Sequence, residues 1–285
     1  IHWGRMRPML RAAALLAALC LSAAPALADR LDEILSRGEI RIAVRTDAPP
    51  LAYVEENSHR GYSVDLCRVL SERLAGQLGR PGLARVFVPV TAENRFDAIA
   101  EGRADILCGA ASVTLSRREI VDFSIPTFVD GAAVLTREDG PDSLNALAGL
   151  RVGVRAGTTT EAALRQTLDL LNVDAEIVTT EHHPDGFADV RSGALDAYIA
   201  DQSILYGLAS AAGLDGLQMS DNTISLEPHA LALPLGESRF RLEVDRALSR
   251  MWRDGTILRI FDDAFAPAEP GEALRALAAL APLGE

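Results

Sequence analysis

The sequence predicts an α/β protein with two related lobes, each built around a largely parallel sheet. Two segments share one pattern: Ile40–Thr46 reads IRIAVRT and Leu150–Ala156 reads LRVGVRA. Each is a short alternation of apolar, β-branched residues that ends at small residues, which is typical of a strand entering a turn. A chain of 285 residues also exceeds one usual core and fits two lobes.

A second repeat supports this fold, because a phenylalanine, a glycine and an aspartate recur with the same internal spacing. They are Phe96, Gly102 and Asp105 in the first half and Phe187, Gly193 and Asp196 in the second. Each set predicts a short helix, a glycine at its C-terminus and a strand that opens after the aspartate. Helical stretches at 63–78 and 160–171 complete the two units. Since parallel α/β sheets bind ligands beyond the carboxyl ends of their strands, we expect a cleft between the lobes.

Past the second unit, Glu227–Pro234 predicts another extended segment, and Phe240–Arg253 an amphipathic helix. Residues 266–285 contain prolines and an alanine-rich run, which predicts a C-terminal tail. A mobile tail is the favoured interpretation, and a short packed helix is the alternative.

The N-terminus predicts a secretory signal peptide over residues 1–28. Met6 begins a segment with Arg7 and Arg11, followed by an apolar run and small residues up to Ala28. We expect cleavage after Ala28 and regard residues 1–5 as upstream of the natural start. A retained membrane anchor is less favoured, because the apolar run is short for a membrane span.

The charge of the chain excludes several function classes. The formal net charge is −12, and it falls to −15 without residues 1–28, which hold three arginines and no acids. Such a surface argues against a nucleic-acid partner. The chain has no lysine, which excludes Schiff-base chemistry, a phosphate-binding P-loop and a β-lactamase-type site.

Two cysteines, Cys67 and Cys108, remain in the mature chain. An even pair in an oxidising compartment suggests one disulfide. Two buried free thiols are the alternative.

The segment CGAASVTLSRREIVDFS, residues 108–124, places Arg117 beside Arg118 after a run of small residues. Ser116 and Glu119 have the spacing of a capping box, which would put both arginines in the first turn of a helix. An exposed arginine pair is one interpretation. The other is an anion site, in which a guanidinium and helix-terminal N–H groups bind the same ligand.

The second half repeats this arrangement, because Thr158 and Glu161 also have capping-box spacing after a strand. Asp201 follows a strand at the expected cleft, where it could bind an ammonium group or cap the next helix. Arg45 and Arg95 stand near the same edge, and by themselves both are as well explained as solvated charges. His182 and His183 lack a further ligand set at a recognisable spacing, so we expect no metal site and no cofactor.

Taken together, the leader, the doubled lobe and the segments TLSRREIVDFSIPTF, RVGVRAGTTTE and DAYIADQSIL resemble the periplasmic solute-binding proteins of polar amino-acid ABC transporters, family 3. The resemblance runs from about Leu31 to Phe265. It implies a type II periplasmic-binding fold, α/β, with two Rossmann-like lobes and a hinge crossed twice. It also implies a monomer that serves an inner-membrane permease from the periplasm.

On this resemblance we expect lobe 1 over 29–132 and 231–265, and lobe 2 over 133–230. The hinge crossings are expected near 132–135 and 229–233. The C-terminal tail would then cover 266–285.

The resemblance also implies roles for individual residues. In the family, the arginine matching Arg117 holds the ligand α-carboxylate, aided by residues matching Ser112, Thr158 and Thr159, and the aspartate matching Asp201 takes the α-ammonium group. Three further residues match glutamate/aspartate-binding members: Arg45, Arg95 and His183. An aromatic residue that basic-ligand binders place near the first turn is missing here, but Asp47 would weaken an acidic-ligand site if it points inward.

Two alternatives stay open. An enzyme on the same fold, such as a cyclohexadienyl dehydratase, would need a general acid in the cleft, and no glutamate obviously faces the site in the sequence. A ligand-sensing domain for a membrane receptor would carry the same motifs.

Overall fold

The computed structural model describes residues 29–220 and 223–284. The predicted signal peptide and its cleavage site lie outside these ranges. None of the helices in the described ranges combines the length and the apolar composition that a membrane crossing requires.

The first sheet contains five strands in the order β5-β1-β6-β13-β7. Their bounds are β1 Glu39–Arg45, β5 Ala84–Val90, β6 Ile106–Cys108, β7 Val121–Asp130 and β13 Glu227–Pro234. Strand β1 pairs in parallel with β5 and β6, whereas β13 pairs antiparallel with β6 and β7. The carboxyl ends of β1 and β6 therefore meet at one edge, which is where the candidate site lies.

The second sheet has the same arrangement, in the order β10-β9-β11-β8-β12. Its strands are β8 Ala132–Arg137, β9 Arg151–Arg155, β10 Glu176–Thr180, β11 Ala197–Asp201 and β12 Leu217–Met219. Strand β9 is parallel to β10 and β11, and β8 is antiparallel to β11 and β12. The two repeats found in the sequence thus occupy equivalent strands of two sheets.

Helices cover the sheets, and a small antiparallel sheet follows β1. The helices are α1 Arg30–Arg37, α2 Tyr62–Gln77, α3 Arg95–Ala100, α4 Leu115–Arg118, α5 Thr159–Leu171, α6 His183–Ser192, α7 Gln202–Ala212, α8 Ser238–Arg253, α9 Thr256–Phe265 and α10 Glu272–Leu280. The small sheet consists of β2 Asp47–Ala48, β3 Ala52–Glu55 and β4 Ser58–Arg60, and a 3₁₀ turn spans Leu144–Leu147.

The chain changes sheets at Gly131, between β7 and β8, and again between β12 and β13. A Cβ atom on Gly131 would lie 2.2 Å from the carbonyl oxygen of Ser225, so this crossing packs against the returning segment too closely for a side chain. The first predicted crossing, near 132–135, begins one residue later. We keep the lobe boundaries as a proposed division and call the first sheet with its helices lobe 1 and the second lobe 2.

Lobe 1 contains the cysteine pair, and the C-terminus packs against this lobe. Cys67 on α2 and Cys108 at the end of β6 are joined by a disulfide, and both are buried. The predicted tail contains helix α10, whose Leu274 is buried in the main core. The short packed helix was the alternative at this position, and apolar burial is the reason that the segment is ordered as a helix.

Candidate functional site

The two lobes touch at the carboxyl ends of their parallel strands. The hydroxyl oxygens of Ser112 in lobe 1 and Thr159 in lobe 2 are 3.1 Å apart. The guanidinium of Arg95 in lobe 1 donates long hydrogen bonds, 3.4 and 3.5 Å, to the carbonyl oxygen of Gly157 in lobe 2. The expected cleft is therefore an interface at which residues of both lobes meet.

Arg117 lies on a single helical turn, α4, and the predicted cap of this turn is wrong. Thr114, rather than Ser116, is the N-cap, and its Oγ1 accepts a hydrogen bond from the backbone N–H of Arg117 at 3.2 Å. Glu119 ends the turn instead of closing a capping box. Both Ser116 and Thr114 are good caps, and the earlier threonine has the extended backbone that an N-cap requires.

The side chain of Arg117 turns inward and Arg118 stays exposed. Arg117 Nη1 donates to the carbonyl oxygen of Ser112 at 2.7 Å, and its guanidinium carbon lies 4.7 Å from the centre of the Phe96 ring. Within the described ranges, no carboxylate lies within ion-pair distance of Arg117. Burial lowers its pKa from the usual value for arginine, although Glu227 and Asp201 act in the opposite direction.

Glu227 is a cleft residue that the sequence interpretation did not include. It opens β13 and is buried, and its Oε2 accepts a hydrogen bond from Thr159 Oγ1 at 2.6 Å. Burial alone would raise its pKa, but hydrogen bonds from Ser112, Thr159 and Ser225 lower it, so the carboxyl is ionised. The strand was predicted, yet no sequence signal indicated which lobe its first side chain would face.

The Thr158 hydroxyl makes its hydrogen bonds within lobe 2. Its Oγ1 accepts the backbone N–H of Glu161 at 3.1 Å and donates to the carbonyl oxygen of Arg155 at 2.8 Å. Glu161 Oε2 in turn accepts the backbone N–H of Gly157. This hydroxyl therefore caps helix α5, and the structure does not place it in the cleft with Ser112 and Thr159.

Asp201 lies at the end of β11 beside two further titratable groups. Its Oδ1 accepts from Thr160 Oγ1 at 3.1 Å, and its Oδ2 is 3.8 Å from Nε2 of the buried His229. Asp130 lies next to them, and burial together with the charge of Asp201 raises its pKa to about 7. One ligand atom from each of Asp130, Asp201 and His229 lies within 4.8 Å of the others. Two carboxyl groups and an imidazole at this spacing are able to bind an ammonium group or a metal ion.

Arg95 is buried, and none of the described carboxylates is in ion-pair contact with it, although Asp201 and Glu93 act on its pKa from a distance. Its side chain is 2% exposed, its Nε has no hydrogen-bond partner in the described part of the chain, and it forms no ion pair there. Burial lowers its pKa well below the usual value, and the charges of Arg45 and Arg117 lower it further. The guanidinium carbon of Arg95 also lies 4.7 Å from the centre of the Phe96 ring. A buried guanidinium that has a ring contact and long hydrogen bonds to one carbonyl, but no carboxylate, is costly unless an anion binds to it.

His183 is also buried and has one free nitrogen. Its Nδ1 is 2.9 Å from the hydroxyl of Tyr198, while no group of the described residues bonds to its Nε2. Burial and the charge of Arg45 lower its pKa well below the usual value, so the ring is neutral. If the Tyr198 hydroxyl donates to Nδ1, the ring hydrogen is on Nε2 and can be donated to an acceptor.

Arg45 differs from Arg95, because a carboxylate already binds it. Asp47 points inward, and its Oδ1 accepts from Nε and Nη2 of Arg45 at 3.0 and 2.9 Å. Asp47 Oδ2 accepts from Nε of Arg155 in lobe 2 at 3.2 Å. Burial alone would raise the pKa of Asp47, but the charges around it, among them Arg45 and Arg155, lower it.

Arg155 is a second residue that the sequence interpretation did not include. It ends β9 as Arg45 ends β1, and its Nη1 donates to Glu93 Oε1 of lobe 1 at 2.5 Å. The repeat IRIAVRT and LRVGVRA was the available signal, because it pairs Arg45 with Arg155 at the same position. The site thus contains four guanidinium groups. Carboxylates neutralise Arg45 and Arg155, whereas Arg95 and Arg117 have no carboxylate partner in the described ranges.

Several known proteins are similar to this chain in sequence or in structure. The chain is 28% identical over 278 residues to an L-glutamate/L-aspartate-binding protein of Pseudomonas aeruginosa, covering 95% of this chain and 91% of that protein. An ancestral arginine-binding protein bound to arginine superposes with a TM-score of 0.72 at 26% identity, covering 81% of this chain and 99% of the other. An ancestral amino acid-binding protein, a precursor of cyclohexadienyl dehydratase, has a TM-score of 0.72 at 28% identity over 84% of this chain and 100% of its own.

These likenesses confirm the predicted α/β, type II periplasmic-binding fold. The model of one protein family matches residues 40–267, which includes both sheets and every cleft residue described above. The chain belongs to the bacterial extracellular solute-binding proteins, family 3.

Proposed function

We propose that this protein binds glutamate or aspartate in the cleft between its lobes and delivers it to an ABC importer in the inner membrane. The observation that carries the proposal is Arg95, a buried guanidinium with no carboxylate partner among the described residues. Burying such a charge is unfavourable unless an anion completes the site. The side-chain carboxylate of an acidic amino acid supplies that anion.

We assign the other two charged groups of the ligand to the residues that the sequence led us to expect. Arg117 is available for the α-carboxylate, with Ser112 and Thr159 beside it. Asp201 is available for the α-ammonium group, with His229 near its free oxygen. The Nε2 of His183 can donate to the side-chain carboxylate that Arg95 binds. Three separated charges on one small ligand would thus each have a partner.

A basic amino acid is the main competing ligand, since a structural neighbour of this chain was solved with arginine. A cationic side chain would lie against Arg95 and repel it, and Arg45 and Arg155 add further positive charge nearby. At about 4 Å and an effective dielectric near 20, each such pair costs or contributes about 4 kcal/mol before desolvation. Asp47 and Glu93 already neutralise Arg45 and Arg155, so neither carboxylate is free to hold a basic side chain.

Transport by hinge closure follows from the division of the site between two lobes. Lobe 1 supplies Arg117 and Arg95, whereas lobe 2 supplies Thr159 and Asp201, so a bound ligand would join the lobes. The relative in Pseudomonas aeruginosa is named for binding the same two amino acids. With the predicted signal peptide, this supports a periplasmic protein that presents its loaded, closed form to a membrane permease, and we propose that it acts as a monomer.

The enzyme alternative has one new observation in its favour, because a glutamate does face the cleft. A dehydratase needs a general acid that holds a proton near neutral pH. Hydrogen bonds from three hydroxyl groups lower the pKa of Glu227, so it is an acceptor and a poor general acid. Asp130, whose pKa is raised to about 7, is buried, and both of its oxygens already accept hydrogen bonds from Gly131 and Ser203. Binding without chemistry is therefore the better-supported function, and release of phenylpyruvate from prephenate would contradict it.

The proposal is tested on protein stripped of bound ligand by unfolding and refolding. A thermal-shift panel of the common amino acids, followed by calorimetry, should rank glutamate and aspartate first. A ligand at 100 times its dissociation constant adds about 2.7 kcal/mol of stability, which is easily measured. A larger shift with arginine or lysine, or no shift with any amino acid, would contradict the proposal.

Three variants, measured in the same binding experiments, test which residue binds each charged group of the ligand. Arg117→Ala should weaken binding of every amino acid by about 100-fold or more, because it removes the partner of the α-carboxylate. Arg95→Gln should abolish the preference for glutamate over glutamine while keeping the weaker binding common to both. Arg118→Ala, one position along and exposed, is the matched control and should bind as the wild type does.

A further inference from the structure

Asp47 contacts guanidinium groups of both lobes at once. Its two carboxylate oxygens are divided between them, Oδ1 for Arg45 of lobe 1 and Oδ2 for Arg155 of lobe 2. The aspartate and both arginines are almost completely buried, with side-chain exposures of 9%, 2% and 3%. An ion pair in such surroundings is screened far less than one at the surface.

Arg155 is held by lobe 1 from a second side as well. Glu93, before helix α3, accepts from Nη1 at 2.5 Å and from Nη2 at 3.4 Å. Asp47, Glu93 and Arg155 therefore form a link between the lobes whose partners are all side chains of the protein. Closing the lobes brings together these three charges in addition to any contact with a ligand.

This link also decides which cations remain for a ligand. Arg45, Arg95 and Arg155 all lie at the end of the cleft expected to hold the ligand side chain, near His183, whose pKa all three lower. Arg45 and Arg155 share the charge of Asp47, whereas Arg95 has no carboxylate partner within the described ranges. Asp47 and Glu93 together balance Arg45 and Arg155, so one unneutralised positive charge is left where the arginines by themselves would supply three.

Building on the proposed function, we propose that Asp47 is a specificity-determining residue. By binding Arg45 and Arg155 it joins the lobes and leaves Arg95 as the guanidinium that meets the ligand side chain. The protein then discriminates an acidic side chain from its amide with a single free charge. Removing the negative charge of Asp47 should sharpen this discrimination and weaken closure at the same time.

The two consequences are separable by comparing glutamate with glutamine. Weaker closure raises the dissociation constants of both ligands by the same factor, so the ratio between them cancels that effect. The positive charge that is no longer neutralised when Asp47 loses its charge attracts the side-chain carboxylate of glutamate but not the amide of glutamine. For Asp47→Asn we expect the preference for glutamate over glutamine to increase about tenfold.

Arg155→Gln provides the opposite change. It breaks the same link between the lobes but removes a positive charge, so the preference for glutamate should stay equal or fall. The double variant should return the preference to the wild-type value. Glu93→Gln removes the other, half-exposed partner of Arg155 and should alter the preference by less than about threefold.

Calorimetry with both ligands on these variants tests the inference, with thermal melts to show that each variant is folded. Asp47→Ser is the second way of removing the charge if the amide disturbs the packing. An unchanged ratio in Asp47→Asn and Asp47→Ser, or a shift in the same direction as in Arg155→Gln, overturns the specificity role while leaving the proposed function standing. A wild-type protein that binds neither ligand overturns both.

Discussion

The two lobes have the same strand order and the same short motifs, and they differ mainly at the edge that faces the cleft. At the opposite edge the aspartate of each repeat makes matching contacts. Asp105 accepts the backbone N–H of Arg41 at 2.8 Å, and Asp196 accepts that of Arg151 at 2.9 Å. The glycines before them, Gly102 and Gly193, both have positive φ. These contacts are structural, because neither aspartate lies at the site.

At the cleft, equivalent positions carry different chemistry. The residue before each repeat phenylalanine is Arg95 in lobe 1 and Gly186 in lobe 2. A Cβ atom on Gly186 would lie 2.1 Å from the Tyr198 ring, so this position cannot hold a side chain without moving the ring. The ring in turn holds His183. At this position lobe 1 thus presents the Arg95 cation to the cleft. In lobe 2 the glycine leaves room for the Tyr198 ring, which supports the neutral donor His183.

The largest expected difference between the lobes comes from the disulfide, which lies in lobe 1. Replacing Cys67 and Cys108 together by alanine should reduce the free energy of unfolding by about 4 kcal/mol, given the 41-residue separation. Urea unfolding followed by circular dichroism measures this change. Hydrogen exchange should localise the loss to α2 and β6, and comparable protection losses in β9 and β11 would contradict that localisation.

A smaller difference is expected between the contributions that the two repeat aspartates, Asp105 and Asp196, make to the free energy of unfolding. Asp105 is fully buried and accepts from Arg37 and Arg41, whereas the Asp196 side chain is 29% exposed and lies 3.4 Å from Arg137. Asp105→Asn should cost about 2–3 kcal/mol, because it removes the charge of a fully buried carboxylate that Arg37 and Arg41 contact. Asp196→Asn should cost less than about 1 kcal/mol, because solvent screens the pair. Equal losses in denaturant titrations would show that the outer edges of the lobes are not distinguished by burial.

The smallest effect concerns Asp130, which ends β7 at the first crossing. Because its folded-state pKa is raised to about 7, the stability it contributes is full below its unfolded pKa of 3.8 and is lost as the pH rises through about 7. Asp130→Asn should therefore match the wild type near pH 4 and be more stable at pH 8. The gain should be on the order of 1 kcal/mol, because the amide NH2 group that replaces Oδ2 cannot accept the hydrogen bond that Ser203 donates to the ionised carboxylate.

Thermal melts of both proteins from pH 4 to pH 8 check this prediction. Since other groups titrate in both proteins, only the difference between the two curves reports on Asp130. A gap that is widest at pH 4 would mean that the carboxyl is ionised in the folded protein.

Much of the fold was predictable, because it depends on patterns that are local in the chain. The alternation in IRIAVRT and LRVGVRA set two strands, and the glycines after α3 and α6 ended two helices as expected. The cap of α4 was predicted wrongly, since Ser116 and Thr114 are equally suitable by sequence. Only the extended backbone at Thr114 distinguishes them.

The candidate site was predicted less completely, because its charges are balanced by residues distant in the chain. Asp47 and Glu93 both bind Arg155 across the cleft, and the positions 47, 93 and 155 have no spacing that marks a site. Glu227 was likewise unforeseen, because its partners, Ser112, Thr159 and Ser225, come from both halves of the chain.

By itself, the sequence determined the duplicated α/β architecture, the family and the set of cationic residues that could meet an anion. Periodicity, glycine positions and residue type carry that information, and all three are properties of short segments. The tertiary structure decided which cations are free, because neutralisation depends on distances of about 3 Å between residues of different lobes. It left Arg95 and Arg117 without carboxylate partners in the described ranges and bound Arg45 and Arg155 to Asp47.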